Sequence, residues 1–313
     1  MSYSLLNAKE CFLSVSELHC IRVLEAGNSK GPCVVFMHGG PGSGVKLEQI
    51  DYIDPEYFRI ILIEQRGAGK STPAGETNEN NLNLLIDDVE TVRKYFGISQ
   101  WFITAGSWGT VLSLSYAIQF PDRVLGLIVR GIFLGREEEI NWLYADNGAA
   151  KFYPDAWHKF SQQGALHNTD QHFSFYSSRL KNDELHIRHL AAYEWINWAS
   201  ISMGELPAFD AIESNEKSSL HAKASIMCHY LSNQCFLPEP DYLLNNINAI
   251  QHIPMWIIHG REDVICPPQS AWELAEAHGN AELQLLANVG HTPTDLNTRQ
   301  ALRKVFDSIQ TKS

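Results

Sequence analysis

The sequence predicts an α/β fold, with a mostly parallel sheet, helices on both faces and an inserted helical cap domain. Three observations predict it. Short apolar, β-rich runs alternate with helix-like stretches at both ends of the chain, which is the pattern of parallel strands joined by crossover helices. A serine set among small residues stands where one such run meets a helix-like stretch. Between residues 135 and 241 the strand pattern lapses and tryptophans and polar residues take over. The expected organisation is therefore a core at 1–134, a helical cap at 135–241 and the rest of the core at 242–313.

In chain order, Cys11 to Val15 and His19 to Leu24 form an opening antiparallel pair, and Val34 to Met37 and Arg59 to Glu64 read as buried strands. The polar stretch Pro73 to Asn81 reads as a surface connection. A helix is expected from about Leu82 to Phe96, stopped by Gly97, with Asp87, Asp88 and Glu90 making its first half acidic. Trp101 to Ala105 is a strand, Val111 to Phe120 a helix and Val124 to Arg130 the next strand. The cap carries Trp142, Trp157, Trp195 and Trp198, most of which are expected to form its own core. The sheet resumes at Met255 to His259 and Glu282 to Leu286.

The 313 residues, 44% of them hydrophobic, can bury one core plus an insertion. A net charge of -12 without any Lys/Arg cluster argues against nucleic acid and anionic membrane surfaces as partners. The N-terminus lacks a basic stretch followed by an apolar one, and no apolar run approaches ~20 residues, so a cytoplasmic location is expected. Six cysteines without metal-ligand spacing read as free thiols, with neither disulfide nor zinc.

Ser107 lies in Ile103-Thr104-Ala105-Gly106-Ser107-Trp108-Gly109-Thr110, a sharp strand-to-helix turn of the G-x-S-x-G type with Ala105 in place of the first glycine. A serine hydroxyl is a weak nucleophile and needs an imidazole to take its proton and a carboxylate to orient that imidazole. His291, in Val289-Gly290-His291-Thr292-Pro293, fits the base, while His252 and His259 read as structural. Asp263, in the loop after a strand, fits the acid better than its neighbour Glu262 or than Asp295, which lies beyond the histidine. His38-Gly39-Gly40-Pro41-Gly42 also follows a strand. Its Gly40 N–H and that of Trp108 are the expected oxyanion donors, with His38 bracing the loop.

The order serine, acid, histidine is that of the α/β-hydrolases, and from about Leu24 to the last helix the chain resembles the proline iminopeptidases, or prolyl aminopeptidases. Beyond the elbow, the resemblance rests on His38 to Gly42, Glu64-Gln65-Arg66-Gly67-Ala68-Gly69-Lys70-Ser71, Arg130-Gly131-Ile132-Phe133-Leu134, Phe152-Tyr153-Pro154-Asp155-Ala156-Trp157 and His259-Gly260-Arg261-Glu262-Asp263. It implies the α/β-hydrolase fold and a metal-independent enzyme without cofactor, monomeric or weakly associating, that releases N-terminal proline from peptides. A carboxylate at the elbow, needed by epoxide hydrolases and dehalogenases, is absent.

Two departures concern the substrate. In that family two cap glutamates hold the ammonium of the substrate's N-terminal residue. Here the matching segments read Trp195-Ile196-Asn197-Trp198-Ala199 and Ile226-Met227-Cys228-His229-Tyr230, so Ala199 and Met227 replace both carboxylates. Gly39, Trp195, Ala199, Met227 and Tyr230 are expected to line the pocket. Glu194 and Glu205 are the nearby carboxylates that could compensate, though Glu194 is five residues from Ala199 and turned away on a helix. The expectation is a peptide, amide or ester substrate without a free amine, held in an apolar pocket. From another class, a ligand-binding protein that keeps the fold without catalysis is the alternative.

Overall fold

The computed structural model describes residues 8–201 and 206–312. Its eight strands are β1 (Lys9–Ser14), β2 (Cys20–Gly27), β3 (Cys33–Met37), β4 (Arg59–Ile63), β5 (Trp101–Ser107), β6 (Val124–Ile132), β7 (Met255–Gly260) and β8 (Glu282–Leu286). They form one sheet in the order β1-β2-β4-β3-β5-β6-β7-β8. The β1–β2 and β2–β4 pairs are antiparallel, and all others are parallel.

The side-chain period of two divides the sheet between two cores. On β3, Cys33, Val35 and Met37 pack into one and Val34 and Phe36 into the other. A strand covered on both faces must be apolar throughout, and every residue of β3 is buried. The helices of the first half are α1 (Leu82–Tyr95) and α2 (Trp108–Gln119). Asn81 caps α1 by accepting from the Leu84 N–H, and Gly97, at φ 63°, follows its end. The α2 helix is apolar nearly all round because it lies inside the molecule.

Between β6 and β7 come α3 (Glu137–Tyr144), α4 (Pro154–Phe160), α5 (Thr169–Leu180), α6 (Leu185–Ala199), α7 (Ser214–Ser232) and the short α8 (Tyr242–Asn245). Their aromatic residues pack on one another. Trp195 stacks on Tyr144 with ring centres 4.9 Å apart, and Phe160 stacks on Trp198 and Tyr176 at 5.4 and 4.8 Å. Trp142 donates from Nε1 to the Val264 carbonyl, tying α3 to the loop after β7. The chain closes with α9 (Pro268–His278) and α10 (Leu296–Lys312). No helix among the described residues is long and apolar enough to cross a membrane.

One expectation about the first half needs correction. The stretch from Pro73 to Asn81 is not merely a surface connection, because Asn80 is buried and accepts from the Tyr230 hydroxyl and the His229 ring across to α7. Asp88 and Glu90 of α1 are engaged inside the molecule. Both are buried, Asp88 in a two-pronged pair with Arg66 at 2.7 and 2.8 Å and Glu90 with Arg93 and the Tyr116 hydroxyl. Burial raises the Asp88 carboxyl, and Arg66 pulls it back. Asp88→Ala would leave the Arg66 guanidinium buried and unpaired, and is expected to cost about 3–5 kcal/mol in urea unfolding. Arg66→Met with Asp88→Leu should recover most of that loss, because an apolar pair removes both charges together.

Candidate active site

β5 runs on two residues beyond its expected end and delivers Ser107 to the start of α2. There the serine adopts φ 57° and ψ -130°, a conformation that costs a non-glycine residue about 1–3 kcal/mol and is held by its surroundings. Thr110 supplies part of that hold, donating from its hydroxyl to the Ser107 carbonyl at 2.7 Å and accepting from the Phe133 N–H at 3.1 Å. Gly109 must lack a side chain, since a Cβ there would stand 2.4 Å from the Met37 carbonyl oxygen. Ala105 needs no such freedom. It sits inside β5 in register with Met37 and Val129, where a methyl group packs into the core.

His291 and Asp263 meet as expected. The imidazole Nδ1 stands 2.7 Å from Asp263 Oδ2, while Asp263 Oδ1 accepts from the N–H groups of Ile265 and Cys266 at 3.0 and 2.8 Å. Burial alone would raise the Asp263 carboxyl, but the charge and hydrogen bond of His291, with His259 and the Cys266 N–H, hold it below its ordinary value. His259 stays structural. It accepts at Nδ1 from the Ile132 N–H and donates from Nε2 to the Cys266 carbonyl, and burial lowers its pKa. Glu262 and Asp295 lie outside this pairing, Asp295 capping α10 through the Asn297 and Thr298 N–H groups.

Ser107 and His291 line one cavity of about 120 Å³, together with Gly39, Gly40, Ala199 and Met227. The Cys266 thiol lines the same cavity, and burial pushes it well above its ordinary pKa. Catalytic hydrogen bonds are commonly loose before substrate binds. Gly131, at φ +52°, passes beneath the imidazole, and a Cβ there would stand 3.1 Å from His291 Cε1. Gly131→Ala is expected to displace the ring and lower kcat about 100-fold on any substrate turned over, as measured by steady-state kinetics.

The glycine-rich loop is braced from behind. His38 donates from Nδ1 to the Gly39 carbonyl at 2.9 Å and accepts at Nε2 from the Gln65 N–H at 3.1 Å. The Gln65 side chain donates to the His38 carbonyl at 2.8 Å and accepts from Trp108 Nε1 at 2.9 Å. Gln65 therefore links the loop that carries Gly40 to the elbow that carries Trp108. Sequence reasoning noted its motif but assigned Gln65 no role.

The pocket expectations hold less well. Trp195 and Tyr230 do not line the cavity. Trp195 stands behind Tyr144 in the aromatic cluster, and Tyr230 packs on Trp108 and donates to Asn80. Each ring is drawn between helices by a buried ring partner, Tyr144 for Trp195 and Trp108 for Tyr230. Glu194 is turned away, accepting from Gln162 and the Tyr176 hydroxyl on the far side of α6. Glu205 lies outside the described residues.

The wall around Ala199 and Met227 is not wholly apolar, because Lys223, one helical turn before Met227 on α7, lines the same cavity. Side chains at i and i+4 share a helix face, and that spacing is the signal by which the sequence could have revealed it. Glu139 also faces the cavity but is occupied, accepting from the Leu134 and Arg136 N–H groups and the Ser270 hydroxyl.

Residues 32–298 match the alpha/beta hydrolase fold family. The chain is 42% identical over 297 residues to a probable proline iminopeptidase of Leptolyngbya boryana, covering 94% of this chain and 92% of that protein. It is 40% identical over 288 residues to a proline iminopeptidase of Arabidopsis thaliana (90% and 75%) and 38% over 298 residues to one of Neisseria gonorrhoeae (95% of each). Among solved structures, a proline iminopeptidase-related protein of Thermus thermophilus superposes with a TM-score of 0.61 at 20% identity, over 97% of this chain and 98% of that one. A haloalkane dehalogenase of Bradyrhizobium elkani reaches 0.66 at 16% identity over 98% and 100%, which speaks for the fold alone.

Proposed function

This chain belongs to the proline iminopeptidase family of the α/β-hydrolases, an enzyme family, and we propose on that premise that it is a serine hydrolase cleaving an amide or ester through an acyl-enzyme. The observation that carries the reading is the convergence on one cavity of Ser107, in its positive-φ turn, and His291, in its 2.7 Å contact with Asp263.

In the proposed reaction the Ser107 hydroxyl turns toward His291 and attacks the substrate carbonyl as the imidazole Nε2 takes its proton. The negative charge that develops on the carbonyl oxygen is received by the N–H groups of Gly40 and Trp108. Collapse of the tetrahedral species breaks the bond to the leaving group, to which His291 returns the proton. Water, deprotonated by the same imidazole, then attacks the acyl-serine, and the imidazolium returns that proton to the Ser107 oxygen as the bond to the acid breaks. Asp263 keeps the imidazole in the tautomer that leaves Nε2 free to accept, and its charge stabilises the imidazolium.

The preferred substrate lacks a free amine beside the scissile carbonyl. An ammonium placed near Ala199 and Met227 would be desolvated without a counter-charge from either residue, which is strongly unfavourable. The test compares a free prolyl arylamide, an N-acyl prolyl arylamide and a short-chain aryl ester with wild type and Ser107→Ala. Ser107-dependent turnover that favours the acylated amide or the ester is the expected result. Fast turnover of the free prolyl amide would overturn the substrate reading.

A further inference from the structure

Resting on that serine-hydrolase reading, we propose that Lys223 is the receptor for a carboxylate carried by the substrate of Ser107. Its place in the cavity is the first reason. It projects from α7 into the space lined by Ser107, and α7 lies against the glycine-rich loop, where a Cβ on Gly42 would stand 3.0 Å from the Ile226 side chain and 3.4 Å from the Lys223 carbonyl oxygen. Its charge is felt across that loop at His38.

The second reason is that the ammonium has no counter-charge. Among the described residues no carboxylate pairs with Lys223, and the charged group acting on it is another cation, Lys46. Burial, with Lys46, pushes its pKa down to about 8, so the ammonium is charged at neutral pH and held at a cost that a bound anion would offset.

The other charged groups on the wall are committed elsewhere. Glu139 is held by Ser270, two backbone N–H groups and Arg136, and Arg130 donates to the His291 carbonyl. Ser43 and Gln49 add uncharged hydrogen-bonding groups to the same wall. A cavity with an uncommitted ammonium and no uncommitted carboxylate favours an anion over a cation. The substrate class is therefore an amide or ester that bears a carboxylate, on either its acyl or its leaving side.

The experiment uses aryl esters of hexanoate, of adipate with one free carboxylate and of 6-aminohexanoate, together with the hexanoate ester of hydroxybenzoate. The acyl side and the leaving side are thereby probed separately. Wild type is expected to favour one of the two carboxylate-bearing esters over the neutral ester by roughly 10- to 100-fold in kcat/KM, the range of a charge-assisted hydrogen bond. Lys223→Met should abolish that preference, and Lys223→Glu should reverse it toward the aminohexanoyl ester, an outcome that general damage to the fold would not produce. Equal turnover of all esters by wild type, or an equal loss on all of them in Lys223→Met, would overturn the proposal.

Binding of adipate and of 4-hydroxybenzoate to Ser107→Ala protein, with and without Lys223→Met, is measured in parallel by calorimetry. Lys223-dependent binding without Ser107-dependent hydrolysis of any ester would uphold Lys223 as a carboxylate receptor and sink the proposed function. Ser107-dependent hydrolysis of the neutral ester with no effect of Lys223 would do the reverse.

Discussion

Replacing Ser107 by alanine is expected to lower kcat by roughly 10⁴- to 10⁶-fold on the best substrate of the matched set, with little change in KM. The size follows from what the side chain supplies. Without the hydroxyl no acyl-enzyme can form, and only the oxyanion donors and the binding cavity remain to assist direct attack by water, an aid worth about 10³- to 10⁴-fold over solution. The variant should fold normally, because the serine is held in its turn through its own carbonyl, which accepts from Thr110. Unchanged thermal melting beside abolished turnover separates loss of the nucleophile from loss of the fold. Turnover within tenfold of wild type would remove Ser107 from the mechanism.

Asp263→Asn should cost roughly 10⁴-fold in kcat at neutral pH. The carboxylate accepts from His291 Nδ1 on one oxygen and from two backbone N–H groups on the other. An asparagine that keeps its oxygen on the backbone donors turns an NH2 toward the imidazole, which must then accept at Nδ1 and carry its proton at Nε2, the position that has to take the serine proton. The substitution also alters how stability depends on pH. The Asp263 carboxyl is held below its ordinary value, so its contribution is present above the ordinary carboxylate range and lost as pH falls through the lowered value. Melting temperatures measured from pH 6 downward should show an acid-side loss in wild type that is smaller in Asp263→Asn.

The legible parts of the site were those written as local pattern. The elbow, the glycine-rich loop and the loops after β7 and β8 each combine an apolar run with a short motif, and strand termini place such loops at one edge of a parallel sheet. Chain order then brings Ser107, Asp263 and His291 to the same edge, and the pairing of His291 with Asp263 follows. The less legible parts depend on which way a helix is turned. Ala199 and Met227 stand out as departures from the family's residues, whereas Lys223 lies outside any motif and reaches the cavity because α7 presents one face to it. Trp195 and Tyr230 were misassigned for the same reason, since an aromatic residue beside a wall position can stand at the wall or behind it.

Local sequence pattern was enough for the α/β architecture, the family and the three residues that form the candidate nucleophile, base and acid. Those properties are encoded in periodicity and in residues close along the chain, where backbone geometry leaves few alternatives. Packing between distant segments settles that Gln65 joins the glycine-rich loop to the turn at Ser107, that Asp88 is buried against Arg66, that Glu194 faces away, and that Lys223 lines the cavity with Met227. Each of these depends on contacts between segments far apart in the chain. Their geometry is fixed by how the helices pack over the sheet, a property of the whole core that no single stretch of sequence carries.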